Sequence, residues 1–395
     1  MRVLSNAGLQ QAGIGNSHIW ISHNGGLLLA FHATDNLGRI YAGRAVLLIE
    51  HRFWGNSTPY EVQSTKNLQF LGLDQAISDF VRFARAVELP FNTNGSSNAR
   101  EAPWIWTGGF YPGALGAWIE SIAPGTFWAT HSSGGSVEVI YDYWQYFYAI
   151  QQGMPKNCSK DFAAIVDHID MVFTKGSHKE QADLKQLFGP QDLEPVDDVA
   201  ARATHSYGVG LKKALPNFAK WYRAKYLPGY NTWRNTFDRQ WVWLRCNYPL
   251  FYYQTGAPAN RPTIFTRLAN TDYYQRQYDL FFPKEGSYTY GSASGKRADT
   301  INAHTNGWNL PSHLDEGSRL LFVNSELDPW RPASVASEFR PSGPLVSTHD
   351  VPSIIIPGSR HCDDLRVMNA ANEDVRKAQA DIVAQIAKWT NEFYT

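Results

Sequence analysis

Three positions in this chain could serve acyl-transfer chemistry. Asp328 lies in Asn324-Ser325-Glu326-Leu327-Asp328-Pro329-Trp330, just past the apolar run Leu320 to Val323, and His361 lies in Pro357-Gly358-Ser359-Arg360-His361-Cys362, just past Ser353 to Ile356. Upstream, Gly108-Gly109-Phe110-Tyr111-Pro112-Gly113 has the layout of a turn that lifts a nucleophile above a sheet. Small residues flank its central position so that strand and helix can approach closely, and the second glycine stands one residue later than in G-x-S-x-G. The chemistry of such a set needs a hydroxyl at the centre, an imidazole to take its proton, and a carboxylate to fix the imidazole tautomer. The central residue here is Phe110, whose ring has no nucleophilic atom.

Taken singly, each residue has an ordinary reading: an Asp before Pro forms turns, and a histidine on a loop is usually solvated. Taken together, the order elbow, Asp, His is the chain order of α/β-hydrolase triads. In that arrangement His361 is the base, Asp328 orients it, and the backbone N–H of Tyr111, next after the nucleophile position, is an oxyanion donor.

The elements that would position these groups are legible as changes of period. Ala45 to Glu50, Trp104 to Thr107, Thr126 to Thr130, Leu320 to Val323 and Ser353 to Ile356 are short apolar runs of the kind buried on both faces of a parallel sheet, and Leu27 to Phe31 reads as an edge strand. Leu73 to Val87 repeats apolar residues at helical spacing with Asp74 as a candidate N-cap. From Asn372, Val375, Ile382, Ile386, Trp389 and Phe393 fall on one stripe of a closing helix. Between residues 141 and 305 strand signals nearly vanish, and helical patterns run over Tyr141 to Gly153, Lys160 to Lys175, Glu180 to Phe188 and Gly210 to Lys225. The expected architecture is an α/β-hydrolase core from residues 1–140 and 306–395, with residues 141–305 inserted as a helical cap over the carboxyl edge of the sheet.

Composition narrows the function. The 395 residues carry 36 basic and 36 acidic side chains and no Lys/Arg run, which removes the electrostatic footprint of a nucleic-acid or anionic-membrane binder. No stretch is long and apolar enough to read as a membrane span, and Met1 to Ser22 has no continuous apolar core of an export signal. Cys158, Cys246 and Cys362 are too few and too scattered for a zinc motif and allow one disulfide with a thiol left over. No metal or cofactor is expected. Asn56-Ser57-Thr58, Asn94-Gly95-Ser96 and Asn157-Cys158-Ser159 match the N-glycosylation pattern.

At this level of detail the chain resembles the prolyl carboxypeptidase and dipeptidyl peptidase family of serine peptidases, particularly its fungal members. The matching stretches are Glu50-His51-Arg52-Phe53-Trp54-Gly55, Gly108 to Leu115, Trp241 to Gly256 with Cys246-Asn247, Glu326 to Trp330, and Gly358 to Leu365. The resemblance implies an α/β-hydrolase core with an inserted helical domain, a serine mechanism, cleavage next to proline in peptides, and a secreted or lysosome-like compartment. Carried over residue by residue, it puts Phe110 at the nucleophile, Asp328 and His361 at the acid and base, and makes Trp330 a candidate wall for a proline ring, with core packing as the competing use. Residues 1–42 and the stretches 197–208 and 230–238 depart from the family pattern, which points to a decayed gene or an incomplete amino terminus.

Three functions follow as expectations. The first is a serine exopeptidase by descent, inactive or impaired because Phe110 replaces its serine. The second is a non-catalytic protein that captures proline-containing peptides or a partner protein in the same cleft. The third, an esterase-like hydrolase, would draw its nucleophile from Ser132, Ser133 or Ser136, which the sequence puts in a turn after the Thr126 to Thr130 strand. Nothing in the sequence fixes an oligomeric state.

Overall fold

A run without polar alternation has to be covered on both faces, and several such runs lie side by side in this protein. The computed structural model describes residues 3–4, 28–31, 47–89, 97–188, 236–247, 250 and 252–395. Among these, the strands are β1 (Val3–Leu4), β2 (Leu28–Phe31), β3 (Leu47–Glu50), β4 (Ile105–Gly109), β5 (Ala129–Ser133), β6 (Leu320–Ser325) and β7 (Ser353–Ile356). They form one sheet in the order β1-β3-β2-β4-β5-β6-β7. From β4 to β7 the pairing is parallel, with Gly109 opposite Ser133, Ser133 opposite Val323, and Ser325 opposite Ile356. That register brings the carboxyl ends of these four strands to one edge.

The helices are α1 (Leu73–Ala86), α2 (Tyr111–Ile122), α3 (Gln145–Gly153), α4 (Lys156–Lys175), α5 (His178–Phe188), α6 (Thr236–Cys246), α7 (Thr271–Phe281), α8 (Ala298–Thr305) and α9 (Glu373–Glu392). Alternation along the strands assigns the two faces. Trp106, Leu320 and Phe322 join Phe80 of α1 and Leu115, Trp118 and Ile119 of α2 in the larger core, while Ile105, Leu321, Val323 and Ile356 pack with Val375, Ile382 and Trp389 of α9. Fully buried Leu115 and Ile119 contribute roughly 1.5–3 kcal/mol each. Helices therefore cover both sides of an α/β sheet. Between β5 and β6 the regular elements of the described residues are the helices α3 to α8, separated by irregular segments such as 252–270, with one isolated bridge between Glu285 and Tyr288.

The amino-terminal half of the sheet departs from the sequence reading. β2 is not at an edge: it lies between β3 and β4 and runs antiparallel to both, and β1 pairs antiparallel with β3. The apolar run ending at Glu50 is thus in the antiparallel part of the sheet, because continuous burial signals two covered faces and carries no strand direction. Asp74 is not the N-cap of α1; Gly72 is, and Asp74 lies in the first turn, where its carboxylate meets the helix dipole and His304 at 2.9 Å. β5 begins three residues later than the apolar pattern suggested, since Ala129 pairs with Ile105 and carries Thr130 to Ser133 into the ladder. At the other end of the chain, Asn372 caps α9 through its side chain to Asp374 N–H and Val375 N–H, and Phe393, beyond the helix, packs edge-on against Trp128. The expected helix over 210–225 and the sequon at Asn94 lie outside the described residues.

The closeness of α2 to the sheet yields a stability prediction. A Cβ on Gly113 would stand 2.7 Å from the Ser133 carbonyl oxygen and 3.0 Å from that of Gly108, both backbone atoms that cannot swing aside. Gly113→Ala should lower unfolding free energy by roughly 1–3 kcal/mol in urea titrations. Gly153→Ala, whose Cβ would meet nothing closer than 3.7 Å, should stay within about 0.5 kcal/mol of the parent. Equal midpoints for the two variants would refute the close-packing account.

Candidate active site

The turn from β4 into α2 is built from glycine spacing. A Cβ on Gly108 would lie 2.5 Å from the Pro112 carbonyl, so only glycine lets the helix fold back onto the strand there. Trp106 Nε1–H donates to the Pro112 carbonyl at 2.9 Å and ties strand to helix beneath the turn. At the apex Phe110 takes φ 59° and ψ −119°, a region that costs a residue with a side chain about 1–3 kcal/mol. Its N–H donates to the Ser133 carbonyl at 2.9 Å, and its own carbonyl accepts from Ala114 N–H at 2.9 Å. This is the geometry of a nucleophile elbow, carrying a phenyl ring. Tyr111, the first residue of α2, has an N–H with no acceptor inside the helix, which leaves it available to an oxyanion.

Asp328 and His361 come from the loops after β6 and β7, and backbone bonds tie the loops together. Leu327 N–H donates to the Ser359 carbonyl at 3.0 Å, and Gly358 N–H donates to Glu326 Oε2 at 2.7 Å. Asp328 is fully buried; Oδ1 accepts from Trp330 N–H at 2.8 Å and Oδ2 lies 2.8 Å from His361 Nδ1. That second contact puts a proton on Nδ1, and Nε2 is turned toward Cys362 Sγ at 3.6 Å. Burial by itself would push the imidazole down; the Cys362 sulfur and the Asp328 carboxylate outweigh it and raise His361 from 6.5 to about 11.

The Phe110 ring occupies the space in front of this pair. Its centroid is 5.4 Å from His361, nearly perpendicular to it, 4.6 Å from Trp330 and 5.5 Å from Trp241 of α6. Trp330 is enclosed further by Tyr143, Tyr146 and Tyr252 at 5.1–5.7 Å. Phe110, Asp328, His361 and Trp330 thus form one contiguous group with Tyr111 at its base.

The serine-rich segment is placed differently from the expectation of a turn. Ser132 and Ser133 belong to β5 itself and, like Ser136, are buried; Ser133 Oγ donates to Asp364 at 2.6 Å. Strand register rather than local composition decides their direction. All three cysteines are free. One supporting residue was given no role by the sequence reading: His51, named only within the Glu50 to Gly55 stretch, is fully buried beside Tyr111 of the elbow. Its Nδ1–H donates to the Arg52 carbonyl at 2.8 Å, Tyr111 Oη–H approaches its Nε2 at 3.4 Å, and burial lowers it from 6.5 to about 4, so it is neutral. Its place in Glu50-His51-Arg52, directly after an apolar run, was the available signal.

The sequence profile of the family described as serine carboxypeptidase S28 matches residues 40–205 and 218–382. The chain is 40% identical over 416 residues to a protein named serine protease vicPb from Bipolaris victoriae, covering 89% of this chain and 77% of that one. It is 41% identical to serine protease vicPa of the same fungus, over 89% of this chain and 76% of the relative. A probable extracellular serine carboxypeptidase of Arthroderma benhamiae is 25% identical over 88% of this chain and 55% of its own length.

The His361–Asp328 pair should make stability depend on pH in a defined window. Because the folded value, about 11, lies above 6.5, the contribution of His361 is fully present below pH 6.5 and is lost as pH rises toward 11. The difference in unfolding free energy between the protein and His361→Gln should therefore be largest in mildly acidic solution and shrink across that range. Denaturant titrations of both proteins at matched pH measure it, and a difference that does not change with pH would contradict the assignment.

Proposed function

The chain belongs to the serine carboxypeptidase S28 family, and from that premise we propose that it is a peptidase scaffold that keeps its acid–base pair and has lost its nucleophile. His361 is the base of the ancestral reaction, Asp328 its orienting carboxylate, Tyr111 N–H an oxyanion donor, and Phe110 stands where the serine attacked. The substrate class is proline-containing peptides, with Trp330 as the wall for the proline ring. The observation that carries this reading is the Phe110 backbone, held in elbow geometry with its ring against His361 and Trp330.

Residues 141–305 act as a cap over an α/β-hydrolase core from residues 1–140 and 306–395. What supports this is the origin of the rings around Trp330 and Phe110, since Tyr143, Tyr146, Trp241 and Tyr252 all come from the segment between β5 and β6. The alternative reading, a pure peptide-binding protein, fares less well at this wall, because Phe110 already packs against the face a proline ring would use. The relative named extracellular supports a secreted location, and among the described residues no helix is long and apolar enough to cross a membrane.

Two outcomes are expected. Losing the serine of a serine peptidase costs on the order of 10⁶ in kcat, and a ring in the place of the scissile carbonyl also blocks positioning. The protein should not measurably cleave proline-containing carboxypeptidase or dipeptidyl substrates, nor react with a fluorophosphonate probe, whereas Phe110→Ser should react with the probe and gain turnover. Efficient cleavage by the unmodified chain would overturn the reading. Expressed behind a signal peptide, the chain should carry glycan on at least one of Asn56, Asn94 and Asn157. Asn56 and Asn157 are exposed, and a mass unchanged by glycosidase would argue against the secretory route.

A further inference from the structure

Outside the elbow, a buried polar cluster joins the end of β5 to the loop that carries His361. Ser133 Oγ–H donates to Asp364 Oδ1 at 2.6 Å, and His131 Nε2 lies 3.1 Å from Asp364 Oδ2, at ion-pair distance though off the line of a hydrogen bond. Ser133 is fully buried, and His131 and Asp364 are only 4% and 7% exposed. A carboxylate removed from water is strongly destabilising unless its partners stay in place, so this cluster resists displacement.

Asp364 follows His361 by three residues. Between them the chain turns sharply: Cys362 has φ 55°, and Asp363 to Leu365 form a short 3₁₀ turn. Gln379 of α9 holds the outside of this turn by donating to the Asp364 and Arg366 carbonyls, both at 2.9 Å. The inside rests on β5. The Ser133 carbonyl accepts from Phe110 N–H at 2.9 Å and faces Cys362 Sγ at 3.6 Å. The next residue, Gly134, has φ +52°, and a Cβ there would stand 3.1 Å from Asp328 Oδ2 and 3.2 Å from His361 Cε1. Ser133 thus touches the elbow with its carbonyl and the histidine loop with its hydroxyl.

We propose that Asp364, anchored by Ser133 and His131, is the positioning residue that sets His361 over the elbow and within reach of Asp328. Its carboxylate touches no reacting atom; it fixes the height of the 361–364 turn relative to residue 110. The inference rests on His361 being the base of the proposed function, but it concerns the geometry of that imidazole and can be read without turnover. It also gives a use to the serine-rich segment, because a hydroxyl committed to a buried carboxylate is not free to act as a substitute nucleophile.

The test is histidine NMR on the full chain with Phe110 in place, the His361 signals being assigned by their loss in His361→Gln. Ser133→Ala is the decisive variant, since it removes the anchor without removing a charge. Asp328, Cys362 and the His131–Asp364 pair stay as they are, so any change in His361 titration reports position rather than lost charge. The expected result is a folded protein whose His361 Nδ1 proton signal weakens and whose titration midpoint falls by about one unit or more toward the ordinary histidine value. Ser133→Thr, which keeps the hydroxyl, should restore both. If Ser133→Ala does not fold, Asp364→Asn, which keeps the shape and one acceptor for Ser133, is measured in its place and read by the His361 Nδ1 proton signal alone, because this change also removes a charge. In the Phe110→Ser background, Ser133→Ala should lower kcat at least tenfold with little change in KM. A folded Ser133→Ala or Asp364→Asn protein with the parent's His361 signals overturns the proposal. Should Phe110→Ser prove inactive while the NMR changes appear, the proposed function fails and the positioning role stands.

Discussion

At Phe110 the backbone is held at φ 59° and ψ −119° by neighbours that leave it no alternative. β4 is paired on both sides, α2 closes onto it through glycines, and the single N–H between strand and helix is bonded to the Ser133 carbonyl. This geometry belongs to the backbone and aims whatever side chain stands there at the carboxyl edge of the sheet. A serine would present an oxygen to His361. Phenylalanine presents a ring, which finds apolar company in Trp330 and Trp241.

On the proposed reading, the Asp328–His361 pair also has a reason to persist that does not depend on turnover. Asp328 is fully buried, and its two oxygens are satisfied by Trp330 N–H and His361. Removing either member of a buried pair leaves the other uncompensated, at a cost of about 3–5 kcal/mol when both are deeply enclosed. With His361 partly exposed, the penalty here is smaller, yet of the same sign. The pair joins the loops after β6 and β7, so it has a structural use independent of turnover. Exchanging the elbow residue creates no unpaired charge. The nucleophile is therefore the member of such a site that can change with the least consequence for the fold.

Aromatic packing gives the front of the site its character. Trp330 is gripped by Tyr146 of α3, by Tyr143 just before that helix and by Tyr252, and Tyr143 Oη–H donates to the Pro329 carbonyl at 2.9 Å beside Asp328. Pairs of this type contribute about 0.5–1.5 kcal/mol beyond the area they bury. The segment between β5 and β6 is thereby fastened to the loop that holds Asp328.

The sequence alone determined the parts of this protein that rest on local chemistry. Glycine spacing at 108 and 113 specified a strand folding tightly into a helix, the chain order of Phe110, Asp328 and His361 pointed to three strand ends at one sheet edge, and apolar stripes specified α1 and α9. Strand order and direction in the amino-terminal half were not legible, because an apolar run does not record which strands it pairs with or in which direction. Nor could composition tell that His51 is a buried neutral support, or that Ser133 spends its hydroxyl on Asp364. Those assignments depend on residues 60 and 231 positions apart in the chain, Tyr111 for His51 and Asp364 for Ser133. Only the assembled sheet, from β3 to β7, brings such distant groups within hydrogen-bond range, since contacts of that sequence separation are set by tertiary packing and leave no periodic trace in the chain.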